Sequence, residues 1–177
     1  RSEMGQGIRT SLALVVADEM EADWEKCRVV QAEGDEEKYG NQNTDGSRSM
    51  RHWYEPMRQC GAVARAMLEQ AASLGWGVDL EDVRATKHSV VFPRGRRRAG
   101  FGELAEAVAR LPVPTGSAIR LKRSNEFRYI GKEQTLSADG EDIVSGKATY
   151  GADLRSVGMV YAVVSRPPVF GSKATSY

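Results

Sequence analysis

Glu3-Met4-Gly5-Gln6-Gly7-Ile8-Arg9-Thr10 decides how this chain is read. Two glycines bracket one amide side chain, and apolar Ile8, Leu12, Val15, Val16 and Met20 follow at helical spacing. The glycines therefore stand at the N-terminus of an amphipathic helix. Backbone N–H groups there lack partners within the helix, and the positive end of the helix dipole favours a phosphate or a polar heterocycle. Ordinary turn chemistry is the competing reading, because glycine before a helix often only supplies a tight turn.

A second polar stretch follows. Gly34 to Ser49, GDEEKYGNQNTDGSRS, holds no aliphatic residue and one aromatic, Tyr39. Such a run cannot be core, and long polar loops in compact domains are functional or disordered. Its tail, from Asn41 to Ser49, gathers amides, hydroxyls and one guanidinium directly before another helix. Arg48 is placed to grip a phosphate, with Ser47, Ser49 and the backbone near Gly46 as further donors. The alternative is that Ser47 or Ser49 merely caps the helix and Arg48 is solvated.

The spacing predicts a second helix over about Met50 to Leu74, with a buried stripe at Trp53, Met57, Cys60, Ala64, Met67, Ala71 and Leu74 and a stop at Gly75. Pro56 must lie in its first turns or kink it. Cys27, in the strand-like run KCRVVQA, and Cys60 read as core thiols. Val83–Thr86 and Ser89–Phe92 read as a hairpin across Lys87-His88, and a third helix runs from about Gly102 to Leu111. The basic turn Arg94 to Arg98 between them reads as solvated or partner-facing. Thr115 to Asp142 reads as a linker anchored by Phe127, Tyr129 and Ile130, and Ala148–Leu154 and Met159–Val164 read as strands. The fold class is α/β (α+β).

Together, EMGQG, a helix, a short strand, the NTDGSRS loop and a long helix resemble the molybdopterin-binding region of the xanthine oxidase family large subunit. The resemblance is strongest to the branch containing the isoquinoline 1-oxidoreductase beta subunit and the large subunit of membrane-bound aldehyde dehydrogenases. GRRRAGFGELAEAVARLPVP (Gly95 to Pro114), FRYIGK (Phe127 to Lys132) and DIVSGKATYGADLRSVGMVYAVVSRPPVFG (Asp142 to Gly171) extend it over nearly the whole chain. The implied organisation is a molybdopterin-binding region at 1–74, a family-specific hairpin, helix and linker at 75–135, and the start of an α/β hammerhead domain at 136–177.

The resemblance implies that Gly5, Gln6 and Gly7 contact the pterin or its pyrophosphate, and that Gly46, Ser47, Arg48 and Ser49 hold the dinucleotide end. It implies a molybdopterin cytosine dinucleotide with molybdenum, and oxidation of an aldehyde to a carboxylic acid with water as oxygen source. Hydroxylation of an N-heteroaromatic such as isoquinoline is the alternative. The implied partners are the remainder of the large subunit, a small subunit with 2Fe-2S clusters and, in the aldehyde dehydrogenase branch, a membrane-bound cytochrome c subunit carrying haem c. The implied location is the periplasmic side of the inner membrane, with the cytoplasm as alternative. Gly100-Phe101-Gly102-Glu103 matches the family's base motif, but here it opens an ordinary amphipathic helix where a first-turn carboxylate complements the dipole. The base is therefore expected outside this chain.

Composition bounds the rest. With 25 basic and 24 acidic residues, net charge +1, the chain offers no electrostatic case for nucleic acid or a membrane surface. Two cysteines and two histidines form no zinc or iron–sulfur spacing, so no metal ligands are assigned within the chain. A non-catalytic phosphate- or nucleotide-binding module, or an interaction domain docking through Arg94 to Arg98, are the readings from other classes.

Overall fold

The computed structural model describes residues 1–116, 119–133, 137–173 and 175–176, and its chain divides into two compact units, Arg1–Glu141 and Asp142–Tyr177. Residues 135 and 136, where the sequence suggests a boundary, lie outside the described residues.

In the first unit, α1 (Ile8–Met20) packs along α3 (Arg48–Trp76), with the one-turn helix α2 (Glu36–Tyr39) in the polar loop between them. The crossing is close because Gly61 faces α1. A Cβ there would stand 2.6 Å from the Val16 carbonyl oxygen and 2.7 Å from Glu19 Cβ. α3 continues through Pro56 and Gly75 and ends at Gly77, whose φ of +64° supplies the left-handed cap that terminates helices. Gly75 is thus not the stop.

The buried face of α3 is rotated by one residue from the apolar stripe. Gly61, Ala62, Arg65, Leu68 and Ala72 face inward, while Cys60 and Leu74 are exposed. Arg65 decides the rotation, because its cation finds its partners on the inner side. Cys60 is therefore no core thiol. Cys27 is half-buried, and burial, followed by the negative Asp23, pushes its thiol up.

Three antiparallel strands, β1 (Arg84–Thr86), β2 (Ser89–Phe92) and β3 (Arg97–Gly100), lie in that order. Ala85, Val90 and Ala99 are register partners on the buried face and join Leu68, Ala72, Phe101 and Leu104 in the core. Fully burying side chains such as Val90 and Leu68 contributes roughly 1.5–3 kcal/mol each. The β1–β2 turn has Lys87 at φ 46° and His88 at 64°, the twist that suits two-residue hairpins. His88 N donates to Glu21 O at 2.7 Å, and its ring lies 4.7 Å from that of Phe101.

The basic turn is partly strand. Arg97 and Arg98 belong to β3, Arg94 pairs with Asp82 at 2.9 Å, Arg97 donates to Trp76 O at 3.0 Å and Arg98 to Ser89 Oγ at 3.0 Å. These arginines knit the sheet to its surroundings. α4 (Phe101–Val108) then buries Phe101 and Leu104.

The segment expected to be a linker is an ionic clamp. Asp18 and Glu19 on α1 are fully buried, and Lys122 nearly so. Lys122 Nζ lies 2.9 Å from Asp18 Oδ1 and also contacts Glu21. Asp18 further accepts from the amides of Arg128, Tyr129 and Ile130. Arg58 grips Glu19 through Nε at 2.8 Å, and Arg65 Nη1 donates to Glu19 O at 2.6 Å. Buried charges persist when paired and hydrogen-bonded in this way.

Cys27 to Glu33 forms no strand, having no ladder partner among the described residues. In the second unit, neither Ala148–Leu154 nor Met159–Val164 forms one. That unit holds a 3-10 turn, Gly151–Asp153, where Asp153 Oδ2 accepts from Tyr150 N at 2.9 Å, and its Val160, Tyr161, Val163 and Val164 are exposed. A strand requires an edge to pair with, and the described residues of this unit offer none. α5 (Gly140–Val144) spans the division.

Candidate cofactor-binding site

Glycine sets the start of both long helices. Gly5 and Gly7 have φ of +97° and +81°, conformations that cost an L side chain strain, and Gly7 is the N-terminal cap of α1. At α3, Gly46 and Ser47 have φ of 44° and 55°, and Ser47 makes no side-chain capping bond. The two turns meet: Ser2 N donates to Thr44 Oγ1 at 3.0 Å, and Arg1 donates to the Asn43 carbonyl. Between them lies a cavity of about 370 Å³. Met4, Gln6, Ile8 and Ser11 line it from the first helix start, and Thr44, Asp45, Gly46, Ser47, Ser49 and Met50 from the second.

Of the residues singled out in the sequence, Gln6, Gly46, Ser47 and Ser49 line the cavity, whereas Gly5, Gly7 and Arg48 do not. Arg48 pairs with its neighbour Asp45, Nε to Oδ1 at 3.2 Å, in a half-exposed ion pair. Ser49 is buried with Oγ 3.4 Å from Thr44 Oγ1, and Arg51 Nη1 donates to the Gly46 carbonyl at 3.3 Å. His52 is exposed.

The amides of the first turn are not free, contrary to the simplest expectation for a helix start. Glu3 Oε1 accepts from Gly5 N at 2.7 Å and Gly7 N at 3.0 Å, and Oε2 from Arg9 N at 2.9 Å. Burial pushes the Glu3 carboxyl up, but the amides of Arg9, Gly7, Gly5 and Met4 outweigh it and hold it below the ordinary range. A reading centred on the glycines passes over Glu3. The clue lies in the sequence all the same: Gly7 has no side chain to cap α1, and the nearest preceding carboxylate is Glu3. The charged clamp escapes sequence reading for a different reason, since Asp18 and Glu19 are far from Lys122 along the chain.

Glu103 Oε2 accepts from Gly100 N at 3.2 Å, so the carboxylate caps α4 at its N-terminal end. No helix among the described residues is long and apolar enough to cross a membrane.

Two helix N-termini and a hydroxyl-lined wall facing one cavity define a module for an anionic ligand. Residues 1–159 match the molybdopterin cofactor-binding domain model, and the chain belongs to that family. It is similar to the beta subunit of isoquinoline 1-oxidoreductase from Brevundimonas diminuta, 34% identical over 209 residues, covering 96% of this chain and 26% of that protein. The membrane-bound aldehyde dehydrogenase (pyrroloquinoline-quinone) of Gluconacetobacter polyoxogenes is 35% identical over 189 residues, covering 99% and 23%. A large component of the nicotinate dehydrogenase of Pseudomonas putida is 32% identical over 173 residues, covering 96% and 14%. The chain thus spans about a quarter or less of the length of these relatives.

The cavity suits one section of a pterin dinucleotide. Its volume is that of an ordinary small-ligand pocket, and its wall combines hydroxyls, an amide side chain and the N-terminal end of α3. Such donors match a pyrophosphate or the edge of a polar heterocycle.

Proposed function

We propose that this chain is part of the large subunit of a molybdenum hydroxylase and holds its molybdopterin dinucleotide, in the cytosine form. The observation that carries the reading is the convergence of the α1 and α3 starts on one polar cavity. Gln6 meets the ligand from the α1 side. Thr44, Ser47, Ser49 and the Gly46 backbone hold the phosphate end, and Arg48 adds positive charge at the rim if it leaves Asp45. Gly5 and Gly7 serve as the turn that lets the backbone approach closely. When bound, the group supplies two-electron oxidation with water as the oxygen source, and this chain's residues position it and shield its phosphates.

Oxidation of an aldehyde to a carboxylic acid is the first substrate reading. Hydroxylation of an N-heteroaromatic is the second, favoured by two relatives named for isoquinoline and nicotinate. A small 2Fe-2S subunit, a membrane-bound cytochrome c subunit with haem c, and a location on the periplasmic side of the inner membrane complete the proposal.

Metal and nucleotide analysis of the intact protein, purified with its natural partners, tests it. The expected result is molybdenum and CMP released by acid in equal amounts. Absence of both, or a pyrroloquinoline quinone absorbance in their place, would overturn the reading.

A further inference from the structure

The Glu3 carboxylate occupies the donors that a ligand at the first helix start would need. It accepts from three backbone amides, those of Gly5, Gly7 and Arg9, and so closes the turn from within. The same turn fixes Gln6 at both ends of its amide. Met4 N donates to Gln6 Oε1 at 2.7 Å, and Gln6 Nε2 donates to the Ser2 carbonyl at 3.0 Å. Ser2 N in turn donates to Thr44 Oγ1, which lies 3.4 Å from Ser49 Oγ. A continuous run of hydrogen bonds therefore leads from the turn that Glu3 closes, through Gln6, to the opposite wall of the cavity.

Two positive helix ends face this cavity, and only one carries its own anion. At α1 the carboxylate offsets the dipole. At α3 the cap residue Ser47 has no side-chain capping bond, so that end remains open to an external anion.

We propose that Glu3 is the positioning residue of the site: its carboxylate sets the Gly5-Gln6-Gly7 turn, presents Gln6 to the cavity and leaves the α3 end to receive the phosphates. This rests on the pterin dinucleotide reading of the cavity and adds to it the orientation of the ligand. It makes Glu3 a fixed part of the wall, not a placeholder that the ligand displaces. A displaced carboxylate would compete with the ligand, so removing it would strengthen binding. A fixed one holds the geometry, so removing it weakens binding.

The test compares wild type, Glu3→Gln and Glu3→Ala as intact protein with natural partners. One readout is molybdenum and CMP per chain. The other is amide exchange at Gly5, Gly7 and Arg9 in cofactor-free protein. Glu3→Ala should exchange at those amides about tenfold faster or more, the factor expected for loss of a charge-assisted hydrogen bond. Exchange at Leu68 and Ala72 should stay at the wild-type rate. Cofactor content should fall at least about threefold, with Glu3→Gln intermediate because its remaining carbonyl oxygen still accepts.

Equal or higher cofactor content in Glu3→Ala, with exchange accelerated, would overturn the positioning role while leaving the cofactor reading intact. Unchanged exchange in Glu3→Ala would overturn it as well. Should Glu3→Ala unfold, Glu3→Gln alone decides by the same criteria. Wild-type protein without molybdenum or CMP removes both the inference and the reading beneath it.

Discussion

Asp18→Asn should release the segment around Tyr129 from α1. The carboxylate is fully buried, and its two oxygens have different duties. Oδ1 receives Lys122 Nζ at 2.9 Å, and Oδ2 receives the amides of Tyr129 and Ile130, each at 2.9 Å. Asparagine preserves the shape but offers one oxygen. With that oxygen toward the amides, its NH2 faces the Lys122 ammonium; flipped, the NH2 faces the amides. Either way a donor meets a donor in a site closed to water, and Lys122 loses charge compensation. Breaking one side of a buried ion pair costs about 3–5 kcal/mol, a large part of the roughly 5–15 kcal/mol that holds a domain together.

Amide exchange in the intact protein reads this directly. The amides of Tyr129 and Ile130 should exchange about a hundredfold faster or more, since about 1.4 kcal/mol corresponds to tenfold. The pH dependence has a definite sign. Burial pushes Asp18 up, but the amides of Ile130 and Tyr129, the Lys122 ammonium and the Arg128 amide outweigh it and hold the carboxyl low. The stabilisation is therefore present above the ordinary carboxylate range and lost as pH falls through the depressed value. The variant should lack that acid loss. Acceleration below tenfold, or an acid profile like that of wild type, would refute the clamp.

Gly61→Ala should destabilise by about 1–2 kcal/mol: alanine gains up to about 1 kcal/mol of helix propensity, but its methyl meets the Val16 carbonyl at 2.6 Å, and α1 must move away. A raised thermal midpoint would contradict the helix crossing. Burial pushes the Glu69 carboxyl up despite the Ala85 amide and the Arg65 and Arg120 cations, so its contribution is present in acid and lost as pH rises through the raised value. Glu69→Gln keeps an acceptor for Ala85 and should gain on wild type between acid and neutral pH in thermal denaturation; a constant difference would show that the carboxyl is not desolvated. Glu103→Gln should leave turnover of the intact protein unchanged, because a cap needs only an acceptor, and a large loss in cofactor-replete protein would reinstate it as the base.

What the residues announce on their own is local. Gly5-Gln6-Gly7 before an apolar period places α1 correctly, and the Lys87-His88 pair between β-rich runs places the hairpin. Hidden features depend on partners distant in sequence. The apolar period of α3 puts the inner face one residue off because Arg65, a surface residue by its charge, finds Glu19 inside. Lys122 and Tyr129 sit in a stretch without periodicity, since irregular backbone held by side-chain carboxylates leaves no repeating signal. The strands expected after Ala148 fail because alternation describes a willingness to pair, not the presence of a neighbour. At the cavity, residue types indicate where Ser47 and Ser49 lie, but not that Arg48 turns to Asp45 or that Glu3 takes the first-turn amides.

The hairpin tip at Lys87-His88 has a practical consequence. Tight two-residue turns are customary places to splice epitopes, fluorophore sites or permuted termini, because they normally touch nothing. Here His88 N is tied to Glu21 O, His88 Nδ1 accepts from Asp23 N at 3.3 Å, and its ring rests against Phe101. Burial and the nearby Lys26 cation outweigh Asp23 and push this imidazole down, keeping the accepting nitrogen unprotonated. A graft at this tip would detach the sheet from the end of α1, so probes belong in the exposed acidic stretch before Gly40.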